Sequence, residues 1–224
     1  SSLTVIQGGF YDSKLLLITI DTSHSENTDN ANHITYKSVY ISKSPYPITS
    51  LCIMKMPHNK KDIFILTGNL IGDITLLSFN SNSLTYPLNI VHSFINNTSA
   101  ITDVVYSNTM NIFASASYDG FIDLYTIPSF RLFRSIKHHS AIDNIFISSS
   151  PLAAIVAISE SEMKTYSING KELCTITEAN GIKSAKMLTD ETFCDSIVYI
   201  SGRKLMIRTL PYLEVKSEIS LTIR

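Results

Sequence analysis

The stretch Phe113-Ala-Ser-Ala-Ser-Tyr-Asp-Gly-Phe-Ile-Asp-Leu-Tyr-Thr-Ile127 constrains the fold more than any other part of the chain. An apolar run enters Asp119-Gly120 and an alternating run leaves it. Glycine accepts the positive φ that tight hairpin turns require, so Asp-Gly between alternating hydrophobics marks a β-hairpin. The shape recurs. Val5 to Ile18 aligns Asp12 with Asp119, and Ile65 to Leu77 puts Gly72 on Gly120 with Ile71 replacing the aspartate. Ile158 to Tyr166 and Ile200 to Arg208 supply weaker copies at Glu160 and Gly202. The turn positions 12, 71, 119, 160 and 202 stand 59, 48, 41 and 42 residues apart. A repeat of this period means stacked copies of one small β unit. The long first interval is absorbed by the polar insert Asp21 to His33, which reads as a loop.

A second element precedes each turn by about 18 to 23 residues: Ile48–Ile53, Ile101–Tyr106, Ile142–Ile147 and Ile182–Met187. These short apolar runs predict inner strands buried on both faces. More polar outer strands follow each hairpin, at Thr35–Ile41, Tyr86–Phe94, Leu132–Ile136, Leu173–Thr177 and Val215–Ile219. Four strands per unit, inner to outer, make a propeller blade. The expected fold is therefore all-β, a β-propeller of four-stranded blades forming a single domain, with about five blades in this chain. They fall at approximately 1–44, 45–96, 97–138, 139–179 and 180–219. The first lacks its opening strand. Residues 220–224, with Leu221 and Ile223 on one face, start the next blade or close a five-bladed ring.

Ser117-Tyr118-Asp119-Gly120 with Leu124-Tyr125 resembles a WD repeat, with Tyr125 where the tryptophan stands. His139-Ser-Ala-Ile142 is similar to the Gly-His segment that opens such repeats, His138 replacing the glycine. The resemblance implies that the turn aspartate accepts a hydrogen bond from that histidine. It also favours a seven-bladed ring of which these are five blades. The repeats are degenerate: the chain has no tryptophan, and the turn aspartate survives at Asp12 and Asp119. More narrowly, Gly8–Ser13, Leu124–Ile136 and Phe146–Leu152 resemble the C-terminal WD region of BEACH-domain proteins, as do Tyr166–Gly170 and Arg208–Glu214. That implies a non-enzymatic cytoplasmic scaffold in vesicle or lysosome trafficking. Protein partners would dock on it, and other domains of the full-length protein would reach endomembranes.

Charge argues the same way. The net charge is −1, and the sequence pI is about 6.6. Nucleic-acid partners are usually met by a basic face, so direct nucleic-acid binding is not expected. Membership of an RNA-processing particle is the alternative reading. Apolar runs are too short to span a membrane; the longest, Pro151 to Ile158, has the length of a buried strand. Three cysteines (Cys52, Cys174 and Cys194) without CxxC spacing read as buried free thiols.

Signals for catalysis are thin: GxSxG, HExxH, GxxxxGK[ST] and GxGxxG are all missing from the sequence. A propeller enzyme would need paired ionisable side chains in its central channel. No cofactor or metal is expected. His24, Glu26, Asp29 and His33 have ligand chemistry but sit in the polar insert, and a solvated loop is the preferred reading. Gly8-Gly9 and Gly68 to Gly72 are read as hairpin-turn glycines. Phe130, Leu132 and Arg134 should share one strand face, with Arg131 and Phe133 on the other. The expected docking face gathers Pro45-Tyr46-Pro47, Asn97–Ala100 and His138–Ser140 beside the turns at Tyr11-Asp12 and Tyr118-Asp119. Tyr46, Tyr118 and His138 are the candidate contact residues. Asp12, Gly72, Asp119 and Gly120 are the structural turn residues.

Overall fold

A computed structural model describes residues 2–8, 14–21, 35–54, 63–79, 88–95, 98–149, 152–189 and 195–221, with side chains from Ser44 onward. Asp12, the Asp21–His33 insert (Asp21 itself excepted), Lys55, Asn97, Pro151, Cys194 and Ile223 lie outside the described residues. The described chain is all strand and turn, without a helix. β1 (Ser2–Gly8), β2 (Lys14–Asp21) and β3 (Thr35–Lys43) form a three-stranded antiparallel sheet. Four four-stranded meanders follow. The first is β4 (Ile48–Met54), β5 (Ile63–Asn69), β6 (Ile74–Phe79) and β7 (Leu88–Phe94). The second is β8 (Ile101–Ser107), β9 (Ile112–Ser117), β10 (Phe121–Thr126) and β11 (Leu132–Lys137). The third is β12 (Asn144–Ser148), β13 (Ala154–Ile158), β14 (Glu162–Ser167) and β15 (Glu172–Thr177). The fourth is β16 (Lys183–Thr189), β17 (Asp195–Ser201), β18 (Lys204–Thr209) and β19 (Glu214–Ser220).

First strands of successive sheets lie against one another, β4 on β8 and β8 on β12, as at the hub of a propeller. β1 touches β4, so the three-stranded sheet lies against the first of these blades; the described residues hold four complete blades where about five were expected. One expectation is corrected here. The strand buried on both faces is the second of each blade, not the first: β9 and β13 are buried along their whole length. β8 alternates between buried and half-buried positions, because its inner edge faces the hub. Outer strands are open; β11 buries Ile136 alone. Phe130 is not on that strand at all. It has φ 54° and folds back onto His92 and Phe94.

The core lies in layers between sheets. Leu66, Leu76 and Phe94 meet Ile101, Phe113 and Tyr125, and Ala114, Ile122 and Leu124 meet Ile145 and Ile155. Val156 and Met163 meet Ile197, Tyr199 and Met206. Each buried Leu, Ile, Val, Met or Phe among them contributes about 1.5–3 kcal/mol by leaving water. Gly68 is not a turn glycine. It sits within β5, where a Cβ would collide with Ile101 and Ser50, so its absence lets the next blade approach. Cys52 and Cys174 are free and half-buried; burial pushes the Cys52 thiol up to about 11.

Candidate docking face

In an antiparallel meander, the start of the first strand, the second-to-third turn and the end of the fourth strand all fall at one end. Repeated around the hub, this gathers the turns near positions 71, 119, 160 and 202 on one face with the loops that enter each blade. Backbone hydrogen bonds stitch that face together. Leu70 N donates to Pro47 O, Tyr118 N to Ala100 O, His138 N to Gly120 O, and Ile182 N to Glu160 O. A polar residue at or just past the end of three second strands clamps its own turn, a role the sequence reading missed. Asn69 Oδ1 accepts from Ile71 N at 3.1 Å and Asp73 N at 2.8 Å. Ser117 Oγ accepts from Phe121 N at 3.3 Å and donates to the Asp119 carboxylate. Ser159 Oγ donates to Glu162 O. A short polar residue one or two positions before the turn centre was the available signal.

Two of the three candidate contact residues lie on this face and are open to solvent, Tyr46 at 42% and Tyr118 at 67% exposure. Leu70 and Ile71 are exposed beside Tyr46, an apolar display on a braced turn. Gly72 and Gly120 have φ 100° and 82°, as the hairpin reading requires. At Gly120 a Cβ would also stand 2.6 Å from Ser140 O, so the turn of one blade packs on the loop entering the next.

His138 is corrected: its side chain is wholly buried, so it cannot touch a partner directly. Nδ1 shares a 2.8 Å hydrogen bond with the Tyr166 hydroxyl. Nε2 has no hydrogen-bond partner and stands 3.9 Å from a Glu162 carboxylate oxygen. Burial holds its pKa below the ordinary histidine value, against the pull of Glu162. The histidine-to-aspartate bond implied by the repeat resemblance is also absent among the described bonds. His139 is exposed, and Asp119 takes its hydrogen bond from Ser117. The backbone carbonyl of Asp119 accepts from Lys137 Nζ at 2.6 Å, and that ammonium lies 3.9 Å from the Phe121 ring centroid.

A deeper regularity sits six residues past each turn, at Leu77, Tyr125, Tyr166 and Arg208. Each directly follows a register shift between the third and fourth strands. A bulge bends the strand and re-aims the side chain that follows it. Three different locks result. Tyr125 stacks on Phe113 at 4.5 Å and meets Phe94 edge-on. Tyr166 bonds His138. Arg208 binds the Tyr199 hydroxyl at 2.7 Å, Leu213 O at 2.9 Å and Glu178 at 3.3 Å, while Tyr199 also donates to Glu178.

Between the second and third turns runs an open groove of about 470 Å³. Tyr118, Ser140, Asp143, Glu160, Glu162 and Thr177 are among the residues that line it. Asp143 is held above the usual carboxylate range by partial burial and then by Glu160. At the hub, Asp103 is raised by burial. Its oxygens accept from Val104 N and Ile145 N, joining two blades. Lys186 acts on it in the opposite sense, lowering its pKa against that burial.

No family model matches the chain, and no curated protein matches it. Solved structures do. The Chaetomium thermophilum Sqt1, solved bound to the N-terminus of the ribosomal protein L10, superposes with TM-score 0.75 at 11% identity over 97% of this chain. The WD40 β-propeller domain of Doa1 superposes with TM-score 0.68 at 12% identity over 96%. The fold is a WD40-type β-propeller. This chain spans 58% and 64% of those two structures.

Proposed function

We propose that this chain is a protein-interaction scaffold that seats partners on its turn face, around Tyr46 and Tyr118. One observation carries the reading: large apolar side chains stand exposed on turns whose backbones are locked by side-chain clamps and inter-blade bonds. Such a display loses little conformational freedom on binding, and tyrosine offers wide amphipathic contact. The Sqt1 structure, with a protein N-terminus bound, is an example of this fold receiving a protein segment. The resemblance of its repeats to the WD region of BEACH-domain proteins supports a cytoplasmic role beside endomembranes, in vesicle or lysosome trafficking. Asp119 and Gly120 shape the face, and His138 supports it from beneath.

The test is affinity capture from cytosol by the chain beside its Tyr46→Ser/Tyr118→Ser variant, with matched unfolding midpoints. Trafficking or coat proteins held by the first and lost by the second are the expected result. Equal capture by both removes this face as the docking site. Recovery of ribonucleoprotein components instead moves the chain to the RNA-processing reading.

A further inference from the structure

The groove between the second and third turns deepens that reading, on which it rests: we infer that it takes a basic, arginine- or lysine-bearing segment of a partner protein. Its lining is negative and under-compensated. Asp143, Glu160 and Glu162 all face the groove. Among the described residues neither Asp143 nor Glu160 has a cation within ion-pair distance. The nearby ammonium of Lys164 is nearly buried and divided between Glu162 at 3.3 Å and Glu172 at 3.6 Å. Lys137, the other cation of this region, is turned onto Asp119 O and the Phe121 ring.

A second observation is independent of the carboxylates. His138 Nε2, wholly buried and without a hydrogen-bond partner, faces the groove carboxylate Glu162 across 3.9 Å. Leaving a buried polar atom unmet is costly, so sites where this happens call for an explanation. Glu162 thus has Lys164 at 3.3 Å and the His138 ring at 3.9 Å on its inner side, and its carboxylate borders the groove where an incoming cation would sit.

The shape fits the charge. A volume of about 470 Å³ falls within the roughly 300–1,000 Å³ of ordinary ligand clefts. Tyr118 at the rim gives a guanidinium an aromatic face to lie on. Ser140, Ser159, Ser161 and Thr177 add hydroxyl-bearing side chains to the lining. A nucleic acid is repelled by the same carboxylates.

The probe is a fluorescein-labelled nonapeptide carrying three spaced arginines, with its glutamate counterpart, titrated by anisotropy against the full chain. The arginine peptide should bind, weaken as salt rises, and lose at least tenfold in affinity with Asp143→Asn/Glu160→Gln. The same two-charge change on β19, Glu214→Gln/Glu218→Gln, should leave binding unchanged. All four positions are exposed, so the folds are spared. Equal binding by the groove variant, equal loss in the β19 control, or equal affinity for the glutamate peptide overturns the inference. If the arginine peptide fails while Tyr46→Ser/Tyr118→Ser still loses captured partners, the basic-segment inference falls and the docking face stands. If capture is indifferent to the tyrosines, the reading beneath it falls.

Discussion

The third and fourth blades solve one problem with opposite chemistry. In both, the residue six past the turn follows a bulge and is fastened by the loop entering the blade. In β12–β15 the fastening is a neutral pair, Tyr166 to His138, with one buried nitrogen left over. In β16–β19 it is a charged network in which Arg208 spends its donors on Tyr199, Glu178 and Leu213 O. The frame therefore fixes a position, and the position accepts whatever side chain its surroundings can satisfy. The satisfied network stabilises; the unsatisfied pair lies beside the groove carboxylate Glu162.

Breaking the charged network has the largest expected effect. Arg208 and Glu178 are 16% and 18% exposed. Removing one member of a buried pair costs about 3–5 kcal/mol, and this slight exposure trims Arg208→Met to roughly 2–4 kcal/mol in urea unfolding. The neutral pair should give less. Tyr166→Phe is expected to cost about 1–2 kcal/mol by leaving His138 with neither nitrogen bonded. A double-mutant cycle with His138→Met should return a coupling of about 1 kcal/mol. Equal losses in the two blades would erase the distinction.

Acidity separates them further. The His138 pKa is lowered by burial, while Glu162, Lys164, His139 and Glu172 act on it together. The folded state then favours neutral histidine. Its contribution is complete above about pH 6.5 and is lost as pH falls below that, because the unfolded chain binds the proton more readily. Unfolding midpoints across pH 7 to 5 should slope less in His138→Gln than in the parent. At the alkaline end the blades agree. Burial first, then nearby carboxylates, push Tyr166 and Tyr199 each to about 12. Stability from both is full below about pH 10 and fades as pH rises toward 12. The smallest effect belongs to the turn clamps: Ser117→Ala should cost about 0.5–1.5 kcal/mol.

Much of the frame was legible because it depends on local pattern. Asp119-Gly120 and Gly72 announce their hairpins through the positive φ they tolerate, and polar alternation marks β11 and β19 as outer strands. The burial of β9 and β13, rather than β8 and β12, was not legible. Both sets are short and apolar, and what separates them is which edge meets the hub. The locks were hidden for a related reason. Tyr125, Tyr166 and Arg208 share a position but are fastened in different ways, and their partners lie 5 to 31 residues away. His138 was misplaced because two adjacent histidines offer no sequence clue to which turns inward. The groove joins Tyr118 to residues near 143, 160 and 177, which come together only when two blades stack.

The docking face is tested most directly by amide hydrogen exchange on the chain alone and in complex with a partner it captures. Slowed exchange should concentrate at residues 44–48, 69–73 and 117–121, with β7, β11, β15 and β19 unchanged. Protection on those outer strands, with the turns exchanging as before, would contradict the account.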